Sequence, residues 1–292
     1  MDKSMSNIIT GTTSLTGLLG SPVSHSISPL MHNESFNILN LDYVYLCFDV
    51  GCDKLETAIN GLKAMNVKGF NLTMPNKNLM YELADELSPA AKIIGAVNTV
   101  LNDNGKLIGY NTDGMGYMHA VREAGCDIIG KNMTLLGAGG AATAVCAQAA
   151  LDGVSSINVF SIKDQFFDRA RNLVDRINKE TDCKASLYDL NDKSELKKSI
   201  ANSHILTNAT SVGMAPNTDN CIIEDSSYFH EDLIVSDVIY NPRETKLLKM
   251  AKKSGCITFN GLYMLLFQGA EAFKIWTGKE MPIDLIKEKY FS

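Results

Sequence analysis

Short apolar runs alternate with stretches in which apolar residues recur at helical spacing, and this continues along nearly the whole chain. The rhythm predicts an α/β protein with mostly parallel sheets, because strands covered on both faces read as unbroken apolar runs and each crossover carries a helix. In the first part, strands are expected at 15–19, 43–49 and 69–73, and helices at about 29–39, 53–65, 76–85 and 89–94. Runs at 98–102 and 106–110 flank Asp103-Asn104-Gly105 and read as a hairpin. Asp113 opens a helix that Gly125 closes. From Met133 the rhythm becomes regular, with strands at 133–137, 156–160, 184–188 and 204–208 separated by helices at 140–151, 164–179 and 193–200. A strand at 233–237, a helix at 244–254, a strand at 256–259 and a helical region over 263–276 complete the pattern. The simplest partition is two α/β domains with a cleft between them: residues 1–113 with returning C-terminal helices at 261–292, and residues 114–260.

The sharpest local signal is Gly137-Ala138-Gly139-Gly140-Ala141-Ala142, which follows an apolar strand and opens a helix. The order strand, GxGxxA, helix is the context of a dinucleotide-binding turn. Gly137 permits the tight turn, Gly139 lets the backbone approach a pyrophosphate, and Ala142 is small enough for the helix to pack on the sheet. The helix N-terminus adds unpaired N–H groups and the positive end of its dipole. A Gly/Ala-rich turn that binds nothing, or a methyltransferase using S-adenosylmethionine, would show the same turn. Cofactor choice is expected at the end of the next strand, in Ser161-Ile162-Lys163-Asp164. A carboxylate there favours free ribose hydroxyls and a cation favours a 2′-phosphate, so Asp164 and Lys163 point in opposite directions. Asp164 also reads as the N-cap of the helix at 164–179.

Composition narrows the class. The chain has 292 residues, 45% of them hydrophobic, and carries a net charge of −6 with no Lys/Arg block, so neither nucleic acid nor a membrane is an expected partner. Seven dispersed cysteines form no CxxC pair, which fits reduced thiols in the cytoplasm better than disulfides or zinc. The start, Met1-Asp2-Lys3-Ser4, does not read as a signal peptide. The uncharged stretch 134–151 is too rich in glycine to span a bilayer. Five histidines without HxxxH spacing leave no metal site expected.

Polar clusters in the first part carry the remaining candidate chemistry: Ser24-His25-Ser26-Ile27-Ser28-Pro29, Asn71-Leu72-Thr73-Met74-Pro75-Asn76-Lys77, Gly95-Ala96-Val97-Asn98-Thr99 and Gly109-Tyr110-Asn111-Thr112-Asp113-Gly114. Each has a plain structural explanation too: Ser28 and Asp113 suit helix N-caps, and Asn98 suits a turn. Lys77 falls in the first turn of a helix, where the dipole disfavours a cation. An adjacent carboxylate such as Asp113 would keep it charged and oriented, and such a lysine can give a proton to a ketone oxygen and reclaim it in reverse.

SxSP, NLTMPNK, GAVNT, GYNTDG, GAGGAA, NATSVGM, VIYNP and GLYMLLFQGAEAF follow one another as they do in the shikimate dehydrogenase family, which this chain resembles from about Thr16 onward. FSIKDQFFDRA and FKIWTGKEMP resemble its quinate/shikimate branch. The resemblance implies an N-terminal substrate domain and a Rossmann-type NAD(P)-binding domain. It implies reversible oxidation of shikimate to 3-dehydroshikimate, in aromatic amino-acid biosynthesis, with quinate a further substrate. By the same resemblance Lys77 and Asp113 are the catalytic pair, and Ser26 and Ser28 hold the substrate carboxylate. Thr73, Asn98 and Gln268 contact its ring hydroxyls, and Tyr240 lines the pocket. Cofactor contacts are implied at Gly137, Ala138, Gly139, Gly140, Ala141, Ser161, Lys163, Asp164, Ser211, Val238, Asn241, Gly261 and Met264. The NADP-specific branch has an Arg after the second strand of this domain; Ser161-Ile162-Lys163 replaces it, which favours NAD, with NADP accommodated through Lys163. Ser211 stands where some relatives carry Lys. The expected partner is a small-molecule substrate, and a homodimer is the assembly compatible with this reading. A dehydrogenase for another small cyclic hydroxy acid, or a non-catalytic ligand sensor, are the alternatives; a sensor would be expected to have lost the Lys/Asp pair, which this chain keeps.

Overall fold

The computed structural model describes residues 8–165 and 167–291. The chain divides after Thr112 and again after Phe267: Asp113–Phe267 form one compact unit, and the residues before it and from Gln268 onward form the other. Residues 261–267 of the returning segment therefore fall in the second unit, and the rest of it falls in the first.

The first unit is built on β1 (Ser14–Gly20), β2 (Tyr43–Asp49), β3 (Gly69–Leu72), β4 (Glu86–Leu87), β5 (Thr99–Asp103) and β6 (Lys106–Tyr110), in the order β2-β1-β3-β5-β6-β4. β1 is parallel to β2 and β3, while β5 runs antiparallel to β3 and β6. The β5–β6 hairpin follows from its turn: Asn104 and Gly105 both take positive φ (52° and 91°), as a tight turn matched to strand twist requires. Helices α1 (Ser28–Ile38), α2 (Cys52–Ala64), α3 (Lys77–Leu83) and α4 (Pro89–Ile94) connect the strands. α4 shows the expected punctuation, with Ser88 accepting from the Ala91 N–H, Pro89 at its start and Gly95 left-handed at its end. Leu55, Ile59 and Leu62 from α2 pack with Phe70, Leu72, Val97 and Val100 in the core.

The second unit begins with α5 (Asp113–Glu123) and continues through β7 (Asn132–Leu136), α6 (Gly140–Leu151), β8 (Ser156–Ser161), α7 (Phe167–Glu180), β9 (Lys184–Asp189), α8 (Lys193–Ala201), β10 (Ile205–Asn208), β11 (Ile234–Asp237), α9 (Lys246–Lys253) and β12 (Ile257–Phe259). Its sheet is fully parallel and ordered β12-β11-β10-β7-β8-β9, so the winding reverses between β7 and β10. That is the Rossmann order, in which ligands bind beyond the carboxyl ends at the reversal. α6 is buried nearly all round, which is why its sequence lacks an amphipathic period. Helices α10 (Leu262–Thr277) and α11 (Ile283–Tyr290) close the chain.

Three local expectations need correction. Ser28 is not an N-cap: Ile27 holds that position in helical conformation without a side-chain cap, and Ser28 lies inside α1. Asp113 is likewise the first residue of α5 and not the residue before it. α7 starts at Phe167, which puts Asp164 ahead of the N-cap position. The two-residue strand β4 has no signal in the hydrophobic pattern, since pairing to β6 alone defines it. Among the described residues no helix is long and apolar enough to cross a membrane, and no cluster of His, Cys, Asp or Glu could hold a metal ion.

Candidate active site

In the first unit the polar clusters gather at one edge of the sheet. Ser26 and Ser28 follow the carboxyl end of β1, Thr73 follows β3, and Asn111 and Thr112 follow β6. Asn98 reaches the same edge because β5 runs the other way and it precedes that strand. Backbone bonds lock the edge: the Leu72 N–H donates to Asn98 O (2.8 Å), the Asn98 N–H to Tyr110 O (3.0 Å), the Thr73 N–H to Leu19 O (3.0 Å) and the Val97 N–H to Lys77 O (2.9 Å). Gly20 lets Thr73 approach, since a Cβ at 20 would overlap the Thr73 methyl.

Buried side chains extend that lattice. Asn98 Oδ1 accepts from the Thr112 N–H (2.8 Å) and the Thr99 hydroxyl (2.9 Å), and Asn98 Nδ2 donates to Thr112 Oγ1 (3.0 Å). Asn71 Nδ2 donates to Thr99 Oγ1 (2.9 Å), and the Tyr45 hydroxyl donates to Asn71 Oδ1 (2.8 Å). The Ser28 N–H donates to Ser26 Oγ (3.2 Å), which ties the two serines to each other. Burial drives the Tyr45 phenol well above its ordinary range, keeping it neutral. Asn98 is therefore a fixed, buried group (2% exposed) and not an ordinary turn residue. Lys77 is half-buried at the first position of α3. Asn71, Thr99 and Tyr45 were not among the expected site residues; Asn71 and Thr99 stand within NLTMPNK and GAVNT, but their bonds are tertiary and leave no sequence signal.

In the second unit the glycine turn sits at the reversal point. Gly137 takes φ +110°, and a Cβ there would meet the Ala209 carbonyl oxygen at 2.8 Å, because the Ala209 N–H donates to Leu136 O alongside it. Gly139 and Gly140 are exposed, and a Cβ at either would meet nothing within 4 Å. Gly139 is the N-cap of α6 and offers no side-chain acceptor to the first N–H groups. A cradle that side chains would fill, lined by helix N–H donors, fits a pyrophosphate.

One strand outward, Ser161 is buried at the end of β8, while Lys163 and Asp164 are exposed beyond it. Lys163 Nζ lies 3.4 Å from Asp189 Oδ2 at the end of β9. On the other side of the reversal, Asp237 is 1% exposed and accepts from Asn208 Nδ2 (3.1 Å), the Ile239 N–H (3.0 Å) and the Thr245 hydroxyl (2.8 Å). Burial lifts its carboxyl to about 6 against these three donors. Asp237 thus ties the loop after β10, which carries Ser211, to the loop after β11, which carries Val238, Tyr240 and Asn241. Tyr240, Asn241 and Ser211 are exposed. Gly261 must be glycine to fit, since a Cβ there would overlap the Val238 carbonyl, and its N–H donates to Ile239 O (3.1 Å). Met264 and Gln268 stand four residues apart on α10.

Comparison with known proteins converges on one family. The family model described as the shikimate dehydrogenase substrate binding domain matches residues 18–100, and that described as the shikimate 5'-dehydrogenase C-terminal domain matches 261–289. The chain is 54% identical over 100% of both chains to a shikimate dehydrogenase (NADP(+)) of Listeria monocytogenes serotype 4b, and 46% identical, over 96% of itself and 97% of the relative, to a quinate/shikimate dehydrogenase of Escherichia coli. Among solved structures, a Listeria monocytogenes shikimate 5-dehydrogenase in complex with shikimate and NAD superposes with a TM-score of 0.94 at 55% identity, covering 96% of this chain and 97% of that one.

Proposed function

The chain belongs to the shikimate dehydrogenase family, and we propose on that premise that it interconverts shikimate and 3-dehydroshikimate with NAD(P), using Lys77 and Asp113 as its catalytic pair. The observation that carries the assignment of roles is the locked polar edge of the first unit. Lys77 is bonded through its carbonyl to Val97, the next residue is Asn98, and Asn98 grips Thr112, which immediately precedes Asp113. The two motifs that supply the pair are thus joined by a short chain of hydrogen bonds and covalent neighbours. Shikimate is a small polyol carboxylate, and this edge offers hydroxyl and amide groups in fixed positions. Ser26 and Ser28 take the carboxylate, and Thr73, Asn98, Gln268 and Tyr240 the hydroxyls and ring.

A bound nicotinamide supplies the acceptor or donor of hydride at the reacting carbon. Lys77 Nζ takes the hydroxyl proton in oxidation and returns it in reduction, and Asp113 aims Nζ and stabilises the ammonium that forms. Asn98 and Thr73 orient the ring by bonds to groups that do not react. In the second unit Gly137, Ala138, Gly139, Gly140 and Ala141 hold the pyrophosphate. Ser161, Lys163 and Asp164 meet the adenosine ribose, and Ser211, Val238, Asn241, Gly261 and Met264 frame the nicotinamide end.

NAD is the preferred cofactor in this reading. No arginine stands in Ser161-Ile162-Lys163-Asp164, and the one cation there, Lys163, faces Asp189. Quinate is proposed as a second substrate, supported by the 46% identical quinate/shikimate dehydrogenase. All seven cysteines are free, which suits a reducing cytoplasm. Lys77→Ala is expected to abolish turnover of shikimate while the Kd for NAD changes little, and an active variant would remove Lys77 from proton transfer. Asp113→Asn should lower kcat and move the pH–rate profile; an unchanged profile would dissolve the pair.

A further inference from the structure

Beside segment 161–164 stands a second carboxylate, Asp189, within ion-pair distance of Lys163. Asp189 closes β9, in register with Ser161 at the end of β8. The two strand ends are held together by Phe160 and Tyr188, whose rings stack at 5.1 Å, and by the Leu190 N–H, which donates to Ser161 O (2.9 Å). Asp189 Oδ1 accepts from the Asn191 N–H (2.9 Å), which fixes the carboxylate plane and leaves Oδ2 for Lys163. The Asn191 backbone N–H, with Lys163 behind it, holds the Asp189 carboxyl below its ordinary range, so it stays ionised throughout the neutral region. Strands lie about 4.8 Å apart, so β9 ends roughly 10 Å from the glycine turn, with the ribose-choosing segment 161–164 between them. A 2′-phosphate placed there would meet Lys163 already engaged and a second fixed negative charge beside it.

We propose that Asp189 is a specificity-determining residue for the cofactor: it holds Lys163 back from a 2′-phosphate and so turns the cation of segment 161–164 into a neutral pair that favours NAD. The inference rests on the reading that the second unit binds NAD(P) through 137–142 and 161–164. Asp189 touches no reacting atom and acts through Lys163. The exposed pair is worth little to stability, but cofactor choice is a difference of affinities and needs only a small one.

The test is a double-mutant cycle on Asp189→Asn and Lys163→Gln, read as the ratio of kcat/KM for NADP to kcat/KM for NAD with saturating shikimate. Asparagine keeps the acceptor for the Asn191 N–H and removes only the charge. Asp189→Asn should raise the ratio about two- to fivefold, the effect typical of one exposed ion pair. The gain should vanish in the Lys163→Gln background and shrink at high salt. An unchanged ratio in Asp189→Asn, or an equal gain with and without Lys163, would overturn the inference. A wild-type chain that turns over neither cofactor would sink the underlying function; one active with either, with a ratio that Asp189→Asn leaves unmoved, would sink only the role of Asp189.

Discussion

At the carboxyl edge of the first sheet, Asn71, Asn98, Thr99 and Thr112 are buried and hydrogen-bonded to one another, so what the edge offers is a set of fixed side chains. At the same edge of the second sheet, Gly137, Gly139 and Gly140 remove the side chains, and what remains is backbone and the end of a helix. On the proposed function, the difference matches what each edge is to bind. A pyrophosphate is common to many ligands and needs only N–H donors and room. A polyol acid is told from its relatives by the position of each hydroxyl, which takes donors and acceptors that cannot swing away.

Substitutions should separate the two kinds of edge. Asn98→Ala strips partners from Thr99 and Thr112 and takes a proposed ring contact away. It is expected to cut kcat/KM for shikimate by about a hundredfold, about 3 kcal/mol, and to leave KM for NAD nearly constant. An equal rise in both KM values would mean that the network serves the fold and not the substrate. Gly139→Ala should do the reverse, raising KM for NAD several-fold while costing less stability than a change at Gly137, because a Cβ there meets nothing within 4 Å. Gly137→Ala puts a Cβ against Ala209 O at positive φ and should lose about 2 kcal/mol of stability, measured by denaturant unfolding. If both glycines behaved alike, the division into a turn-making and a ligand-facing glycine would fail. Asp164→Ala should raise the preference for NADP a few fold, about 1 kcal/mol; a constant ratio would remove it from the ribose.

A separate expected effect concerns pH, where the two units pull in opposite directions. His32 in the first unit is fully buried among Phe36, Tyr45, Phe273 and Trp276, with neither ring nitrogen hydrogen-bonded, and burial takes it from 6.5 to about 3. The unfolded chain then binds the extra proton first, so this group removes stability as pH falls below about 6.5, at about 1.4 kcal/mol per unit. Asp237 in the second unit is raised from 3.8 to about 6, so the folded chain holds the extra proton between those values. It adds stability as pH falls from about 6 to about 4. The two slopes nearly cancel near pH 5 in the native chain. His32→Phe should expose the Asp237 trend and Asp237→Asn the His32 trend, in urea unfolding at pH 5 and 7. Slopes of the same sign in both variants would refute the opposition.

Much of this fold is legible in the chain because its elements are locally determined. The hairpin at Asn104-Gly105 and the helix after Gly139 depend on residues that force one backbone geometry, and both lie where the pattern puts them. Ser28 misleads as an N-cap because Ile27 already holds that position in helical conformation, and the Ser28 N–H turns back to Ser26 Oγ. β4 is too short to carry a period, and the end of α7 nearest Asp164 shifts by a few residues, as helix starts do. The motif residues of the site are readable as types in order, but Asn71 to Tyr45, Asp237 to Asn208 and Lys163 to Asp189 are meetings of distant segments. No local pattern encodes them, and they decide which polar groups are fixed and which charge is already spent.

The most direct test is the set of initial rates of the purified chain with shikimate and with quinate, each with NAD and with NADP. Shikimate should turn over with a higher kcat/KM for NAD than for NADP, and quinate more slowly. No reduction of either cofactor by shikimate would contradict the proposed function.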